Sequence, residues 1–498
     1  MTTVNGYETL FAMKKESTAG TAVAVGAGDR IDAKKITLNA KKNLKRDEDS
    51  LIPTVKKAWL NQQIPELNFD AYAPYWGNEL LFGILMGSCT VSSHHSGHPL
   101  AYTIEYNRDT LSNALTAAFS LGEGHATADM LRVLEVSGFK FSEFSIDQGN
   151  GEEPGTSWVG GGKAQTRDST TNDSSNLDAV TFLDAAYPSR PATFDDLAVY
   201  LAHQDSTSFD SDEEIDASGF NLKIGTGIEV DTEKHLATSG AMVPVATARL
   251  MAELAVRFLR DNTASDVFRQ YADDCEKLKA KLDYTSDQGI PGMSVSAATP
   301  STDISGSSNT NLNITFTDQV SGDSESVEVV LSVGTLTTDT LIAEAVQTTF
   351  RAATATNSRF QKTLNKLTCD YNSTVSAKYA ITIASNERVN VEVIAASTKD
   401  LSVELKLGTP GSGDEYDAVA YRKIYYIPEI VLEPVGEDVS GGVNEVEFKG
   451  TASTAYGSTA PFGFDADDDD LLSTDLDGSN GQDIRIVTVG RVATSPLA

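Results

Sequence analysis

Residues 32–47 read DAKKITLNAKKNLKRD, and residues 216–231 read DASGFNLKIGTGIEVD. The two stretches share an initial Asp-Ala, a final Asp and the spacing of their apolar residues. Ile36 matches Phe220 and Leu38 matches Leu222, and 220 − 36 and 222 − 38 both give 184. Apolar residues that alternate with polar ones predict half-buried β-strands. The sequence therefore predicts a strand-based unit that occurs twice in the chain.

The segments that follow each copy also correspond. Trp59–Phe69 is expected to be extended and to lead into a short apolar helix over Pro74–Met86, which Gly87 ends. In the second copy, Arg249–Arg260 is expected to be extended and Ser265–Leu282 has a helical pattern.

A third matched pair closes the two units. Leu131–Ile146 and Tyr421–Val435 are both rich in apolar and aromatic residues and both predict long strands. A chain with two equivalent mostly-β modules is suited to building a symmetric assembly, because each subunit then supplies two similar surfaces.

The composition excludes some function classes. The chain has 498 residues and a formal net charge of −32. Binding in a nucleic-acid groove needs clustered Lys and Arg, and anionic membrane surfaces also attract basic segments, so both are disfavoured. A soluble or salt-adapted protein would account for the same charge.

The cysteines and the termini indicate the compartment. Cys89, Cys275 and Cys369 have neither disulfide nor metal spacing, and they are interpreted as small buried hydrophobes. Met1–Leu10 lacks the basic-then-apolar pattern of a signal peptide, and no apolar run has membrane-spanning length. We therefore expect synthesis in a reducing host cytoplasm and no membrane anchor.

Changes in composition divide the chain into five regions. They are an N-terminal arm (1–30), a first module (31–147), linker and long loops (148–217), a discontinuous second module (218–285 and 414–498) and an inserted domain (286–413). Within the linker, Pro191–His203 is expected to form a short helix. Gly- and Ser-rich sequence at both ends of the insert indicates flexible hinges and an outward-facing decoration.

The inserted domain is expected to be a small β-rich unit with one helix. The sequence predicts strands at Leu312–Thr317, Val327–Val333, Tyr379–Ala384, Val389–Ile394 and Leu401–Leu407, and a helix at Asp339–Ala352.

Two groups of residues could hold metal ions, but neither has a convincing pattern. His94, His95 and His98 are close in sequence, yet no further ligand accompanies them, and a polar surface loop is the preferred interpretation. Counting from Asp475 as an EF-hand loop puts Asn480 where Gly is needed and Ile486 where Glu is needed. We expect no catalytic site, no cofactor and no metal.

The N-terminal residues resemble a known family. Gly6-Tyr7-Glu8-Thr9-Leu10, Lys15–Ala22 and the helix Asn78–Gly87, with a strand, a long charged loop and a second strand between them, are similar to tail tube proteins of long non-contractile (siphovirus-like) phage tails. The resemblance covers the first module, and it reaches the second only through the internal repeat.

The resemblance implies a fold and a structural role in the virion. The fold class would be mainly β (α+β), with two tandem β-sandwich tail-tube modules, each with a flanking helix, and the inserted domain. Three copies would form a pseudo-hexameric homotrimeric ring, rings would stack into the tail tube, and the acidic lumen would conduct DNA during ejection. If the repeat did not hold, six copies per ring would be expected.

Further partners follow from the same resemblance. They are the tape-measure protein and DNA in the lumen, and the tail terminator and distal tail proteins at the tube ends. Mixed-charge loops after the first strand of each module would contact the neighbouring ring; ordinary solvated hairpins are the alternative. The implied inter-ring residues are Lys45, Arg46, Asp47, Glu48, Asp49, Asp231, Glu233 and Lys234.

Other functions remain as alternatives. A different structural virion protein, such as a capsid decoration or tail terminator subunit, would share the composition. A cell-surface β-rich adhesin fits the Ser, Thr and Asp content but not the N-terminus. A polysaccharide-cleaving enzyme would need an acidic pair in an aromatic cleft, and only three Trp are present to line one.

Overall fold

The computed structural model describes residues 10–46, 58–120, 133–149, 153–167, 169–183, 190–203, 214–228, 243–246, 251–259, 269–438, 445–453 and 483–497. The fold is mainly β, with several antiparallel sheets. Most strands join one 16-stranded sheet, and two smaller sheets of four and three strands belong to the inserted part.

In the described residues of the first part of the chain there are nine strands and two helices. The strands are β1 (Phe11–Lys15), β2 (Ala33–Arg46), β3 (Ala58–Tyr72), β4 (Gly87–Ser93), β5 (Tyr102–Arg108), β6 (Leu115–Ser120), β7 (Val133–Gln148), β8 (Gly155–Gly161) and β9 (Ala164–Arg167). The helices are α1 (Glu79–Met86) and α2 (Ser174–Asp178).

The second part repeats the scheme around an insertion. Its strands are β10 (Leu197–His203), β11 (Ala217–Gly225), β12 (Met251–Leu259), β13 (Leu278–Ile290), β21 (Val419–Asp438), β22 (Glu445–Ala452) and β23 (Arg485–Gly490). Residues 269–273 are helical.

The inserted part contains seven strands or short strands and four helices. The strands are β14 (Met293–Val295), β15 (Asn311–Asp318), β16 (Ser324–Val330), β17 (Leu367–Tyr371), β18 (Tyr379–Ile383), β19 (Val389–Ile394) and β20 (Asp414–Tyr416). The helices are α3 (Asp339–Ala352), α4 (Ser358–Asn365), α5 (Ser402–Leu405) and α6 (Gly408–Gly411).

The two parts have the same strand order. The first forms the order β2-β3-β8-β7 and the second forms β11-β12-β22-β21. The pairing partners also correspond, since Trp158 of β8 pairs with Phe69, and Phe448 of β22 pairs with Val256. We call the two sets the first half-row and the second half-row, and together the eight-strand row.

A second layer repeats in the same way. β1 pairs with β6 and β6 with β7, while β10 pairs with β13 and β13 with β21. The Phe119–Leu134 pair between β6 and β7 corresponds to the Leu282–Tyr425 pair between β13 and β21. The residues of β21 therefore correspond to those of β7 with an offset of 291, which is 425 − 134. β7 and β21 each run through both layers, because the first half of each strand pairs in one layer and the second half pairs in the row.

One apolar core joins the two parts. Helix α1 presents Phe82, whose ring lies 5.2 Å from Trp158, 5.3 Å from Phe144 and 6.3 Å from Tyr425 between ring centroids. Tyr425 belongs to the second part, so the helix packs against both. Burial of such aromatic side chains contributes a few kcal/mol each, roughly 1.5–3 for a side chain of this class. We conclude that the two parts fold around a shared core.

The inserted part has its own core and is attached firmly. Its apolar cluster includes Phe316, Phe350, Phe360 and Tyr379, each fully buried. Backbone hydrogen bonds from Gly289 to Asn386 and from Gly292 to Val389, both 2.9 Å, hold it to the end of β13. The inserted part spans residues 291–418, between the end of β13 and the start of β21. The corresponding connection in the first part, between β6 and β7, consists of residues 121–132.

Several sequence predictions are confirmed. The strands β2, β3, β7, β12, β15, β18, β19 and β21 lie where the sequence predicted strands or extended segments. Helix α3 has the predicted bounds, and Thr338 caps it by accepting a hydrogen bond from the Leu341 N–H.

Other predictions are wrong. Leu278–Ile290 is a strand, so the helical pattern assigned to 265–282 ended too late. Residues 278–284 read LKAKLDY, and this alternation of apolar and polar residues is the period of a strand. Pro191–His203 was predicted as a helix, but Leu197–His203 is a strand paired with β13. Leu401–Leu407 was predicted as a strand and contains a one-turn helix instead.

The interpretation of 148–217 as linker and loops is also wrong in part. Strands β8, β9 and β10 lie in this range, and β8 sits between β3 and β7 in the row. The sequence of β8 resembles a loop because it contains three glycines, Gly155, Gly160 and Gly161. A Cβ at Gly160 would lie 2.3 Å from the Lys140 carbonyl oxygen, so close strand packing requires glycine there.

The expected flexible hinge over Gly408–Gly413 is likewise wrong. Residues 408–411 form α6, and a Cβ at Gly408 would lie 2.0 Å from the Val393 carbonyl oxygen. The glycines of this stretch are needed because neighbouring backbone lies close to them. A stretch rich in glycine resembles a loop in composition, and this resemblance led to the prediction.

Candidate assembly interface

The two half-rows meet edge to edge inside the chain. β7 closes the first half-row and pairs antiparallel with β11, which opens the second, from Phe220–Gln148 to Gly225–Glu143. Side chains reinforce this junction on the polar side of the row. Lys223 Nζ lies 2.8 Å from Glu143 Oε2, and Arg257 Nη2 lies 2.9 Å from Asp147 Oδ1.

The sequence repeat predicts where the same junction would recur. β11 corresponds to β2 by the offset of 184, and β7 corresponds to β21 by the offset of 291. A β21–β2 pairing equivalent to β7–β11 would place Thr37 opposite Asp438. Before the bulge at Pro434 the offset between β7 and β21 is 290, so that Lys41 would lie opposite Glu433 as Gly225 lies opposite Glu143. Within one chain, β2 and β21 lie at opposite ends of the row.

Both of these edges are open in the described part of the chain. β2 pairs only with β3 there. In β21, residues 431–438 pair only with β22, because pairing with β13 stops at Ile430 and pairing with β23 covers Arg422–Tyr426. An unpaired edge presents free backbone N–H and C=O groups that can pair with a further strand.

The row has one apolar and one polar face. On the apolar face, Leu67, Phe144, Leu222, Leu254 and Phe448 point into the shared core and are fully buried. Residues that alternate with them form the polar face. Its described charged residues are the acids Glu66, Asp70, Glu143, Asp147, Glu253, Glu433 and Glu447 and the bases Lys35, Lys223, Arg257 and Lys449.

The bases on this polar face lie close to carboxylates. Lys223 and Arg257 pair as described above, and Lys449 Nζ lies 3.2 Å from Glu253 Oε2. Lys35 stands opposite Asp70 in the β2–β3 register. The hydrogen bond that Lys223 donates to the Glu143 carboxylate raises the pKa of Lys223, so that lysine stays charged. Among these described residues seven acids face four bases, and this described part of the polar face is therefore negative.

The predicted inter-ring residues are placed only in part. Lys45 and Arg46 lie at the end of β2. Asp47, Glu48, Asp49, Asp231, Glu233 and Lys234 lie outside the described residues, as do the acidic residues 465–470 and 475–478. The inter-ring role therefore stays a prediction.

The three histidines do not form an open ligand set. His98 is only 1% exposed; its Nε2–H donates to the Pro291 carbonyl oxygen (3.0 Å) and its Nδ1 accepts from the Leu100 N–H (3.1 Å). Ser96 N–H donates to His94 Nδ1. The prediction of a polar surface loop is wrong for His94 and His98, because the loop packs against the base of the inserted part.

Burial controls the ionisation of these histidines. It lowers the pKa of His94 and of His98 to about 4, with smaller effects from nearby Arg422 on His94 and Arg491 on His98. Both rings are therefore neutral near pH 7. Among the described residues, no group of three or more His, Cys, Asp or Glu is placed to hold a metal ion.

Two further findings concern membranes and related proteins. In the described ranges, no helix has the length and apolar character that a bilayer span requires. The chain matches no protein-family model and no curated protein.

Sequence reasoning missed the open edges. It located β2 and β21 but not their neighbours, because β8 was taken for loop and the order of the row could not be built without it. The signal was present: Trp158 and Gly160 of β8 recur as Phe448 and Gly450 in β22.

Proposed function

We propose that this chain is a structural subunit of a phage-type tail tube, in which copies join edge to edge into a ring and rings stack into a tube. The proposal rests mainly on the β7–β11 junction. It is an edge-to-edge contact between two equivalent half-rows, and the open edges of β2 and β21 are the repeat-equivalents of the strands that form it.

Head-to-tail association follows from this arrangement. If β21 of one copy pairs with β2 of the next as β7 pairs with β11, each added copy extends the row in the same sense. A contact between two different surfaces closes into a ring when the rotation per copy permits it. The two half-rows would then behave as tandem β-sandwich modules, and three copies would give a pseudo-hexameric ring.

The polar face would line the lumen of this ring. The apolar face is already covered by the shared core, which leaves the polar face for the inner surface. A negative surface whose bases are paired with carboxylates offers few cations to DNA phosphates, so DNA could pass without adhering. The tape-measure protein would occupy the same channel during assembly, and the terminator and distal tail proteins would meet the ends of the tube.

The first experiment is negative-stain electron microscopy of the purified protein with mass photometry. We expect rings or tubes, with three chains in each ring. Rings of six would keep the tube function but contradict the role assigned to the two half-rows. Discrete ring caps that never elongate would favour a terminator, and a monomer that stays monomeric at high concentration would contradict the proposal and favour a decoration protein or an adhesin.

Disulfide trapping tests the β21–β2 register directly. In a Cys275→Ser background, which removes an exposed thiol, Thr37→Cys combined with Asp438→Cys should form an intermolecular disulfide under mild oxidation. The matched control combines Thr37→Cys with Glu437→Cys. A one-residue shift moves the side chain to the other face of a strand, so the control should not crosslink.

A further inference from the structure

The two open edges carry opposite charge. β2 reads AKKITLNAKKNLKR, with six basic residues and no acidic residue. The open part of β21, residues 431–438, reads VLEPVGED, with three acidic residues and no basic residue. Lys34, Lys35 and Glu433 are exposed. In a chain whose net charge is −32, a strand with six bases and no acid is a marked local exception.

The junction inside the chain has the same polarity. Its β7 side carries Glu143 and Asp147 and its β11 side carries Lys223, with the 2.8 Å contact between Lys223 and Glu143. The acidic strand is thus the last of its half-row and the basic strand is the first of the next. β21 and β2 repeat this assignment: Asp438 occupies the position of Asp147, whereas Asn39 stands where β11 has Lys223.

We infer that this separation of charge makes the two edges select each other and prevents either edge from pairing with its own copy. Two β2 edges, or two β21 edges, could also satisfy their backbone groups by antiparallel two-fold pairing, and two-fold dimers are the commonest assemblies. Like charges on facing strands are destabilising, whereas opposite charges are stabilising. The surface is an interaction site for a second copy, bound head to tail.

This inference rests on the proposed edge-to-edge assembly, and it adds what decides the orientation of the partner. The register derived above places Lys41 opposite Glu433. Ionic strength should weaken such contacts, because the screening length falls from roughly 30 Å at 0.01 M salt to roughly 3 Å at 1 M.

Charge-reversal variants test it. The all-acidic variant carries K35E, K41E and K42E, and the all-basic variant carries E433K, E437K and D438K. Lys35, Lys41 and Lys42 are the bases within residues 35–43, the part of β2 that would face the open part of β21. Over these facing segments each variant has two edges of the same sign, and each should need a chain concentration about tenfold or more above that of the unmodified protein to assemble. Circular dichroism and melting curves check that both variants fold.

Mixing the two variants gives a sharper result. Each edge of one variant is complementary to an edge of the other, so the mixture should form two-chain complexes. A ring of three cannot alternate two kinds of subunit, and three-membered rings should therefore be absent. The chain that carries all six reversals has both edges exchanged and should again form three-membered rings by itself, but it should not co-assemble with the unmodified protein.

The outcomes separate the two proposals. If the unmodified protein forms rings and both triple variants form them equally well at low salt, the electrostatic inference is overturned while the proposed function stands. If the triple variants lose assembly but neither mixing nor the six-fold exchange restores association, the inference is also overturned. If the unmodified protein does not associate at all, the edge-to-edge assembly itself fails.

Discussion

Gly160 and Gly450 occupy the same position in the two half-rows. Gly160 of β8 pairs with Leu67 and Phe141, and Gly450 of β22 pairs with Leu254 and Leu432. A Cβ would lie 2.3 Å from the Lys140 carbonyl oxygen at Gly160 and 2.4 Å from the Val431 carbonyl oxygen at Gly450. The repeat therefore preserves a close approach of backbones as well as a strand order.

The first prediction concerns these glycines. Gly160→Ala and Gly450→Ala should each lower the free energy of unfolding by about 1–3 kcal/mol, because the added methyl group forces the neighbouring strand away. Chemical denaturation measures the change. Gly306→Ala is the matched control, since nothing lies within 4 Å of a Cβ there, and it should leave stability nearly unchanged. Equal effects at all three sites would contradict the close packing.

The second prediction compares a buried ion pair with an exposed one. Arg108 Nε lies 3.0 Å from Asp483 Oδ1, and the side chains are 4% and 13% exposed. Asp483→Asn should destabilise the protein by about 3 kcal/mol, because it removes the carboxylate charge that pairs with the buried Arg108 guanidinium. Glu143→Gln removes an exposed partner and should change the free energy of unfolding by about 0–1 kcal/mol. Urea unfolding of both variants provides the comparison.

The third prediction is a loss of stability in acid caused by His98. Burial lowers the pKa of this histidine from 6.5 to about 4, so the unfolded chain takes up a proton at higher pH than the folded chain does. The stabilising contribution is complete above pH 6.5, is lost as the pH falls from about 6.5 to about 4, and amounts to about 3 kcal/mol.

His98→Gln tests this pH dependence. Gln can still donate to the Pro291 carbonyl oxygen but does not titrate, so the difference in stability between pH 7 and pH 4 should be smaller than in the unmodified protein by about 3 kcal/mol. His95→Gln, at the exposed neighbour, is the control. An unchanged slope in His98→Gln would rule out this histidine as the source.

The fourth prediction has the opposite sign. Burial raises the pKa of Glu415 from 4.5 to about 7, with Glu392 and Asp414 adding to the rise. The folded state holds this proton more tightly, so the associated stability is complete below about pH 4.5 and is lost as the pH rises to about 7. Glu415 Oε1 accepts from Ser294 Oγ and the Val393 N–H, which lowers the pKa but does not outweigh burial.

Glu415→Gln should remove this loss. Relative to the unmodified protein, the variant should gain up to about 3 kcal/mol of stability between pH 4.5 and pH 8. Glu344→Gln, an exposed position on α3, is the control. Denaturation midpoints at the two pH values give the answer, and a parallel pH profile for Glu415→Gln and the unmodified protein would contradict it.

How far the sequence predicts this protein can be judged from particular elements. The alternation of Ile36, Thr37 and Leu38 predicted β2, and the apolar spacing of Ile342, Val346 and Phe350 predicted α3, because one-sided burial leaves a period in the sequence. Residues 278–284 of β13 have the same strand alternation, with an apolar residue at every second position, and the assignment of this stretch to a helix overlooked that period.

The candidate interface was predictable only in its parts. The repeat indicated two equivalent units, and the charged residues of β2 and of residues 431–438 can be read directly from the sequence. Which strands are edges depends on β8 and β22, whose glycines resemble loop residues until a neighbouring backbone explains them. The histidine loop was misjudged for a similar reason, because its burial comes from Pro291, almost 200 residues away in sequence.

The sequence by itself determined the mainly-β class, the duplication and the charge of each strand, because these follow from local periodicity and composition. Only the tertiary structure decided the order of the eight-strand row, the junction of β7 with β11 and the exposure of the β2 and β21 edges. Strand pairing joins residues far apart in sequence through backbone groups that every residue carries, and a pattern of side chains therefore does not specify the partner.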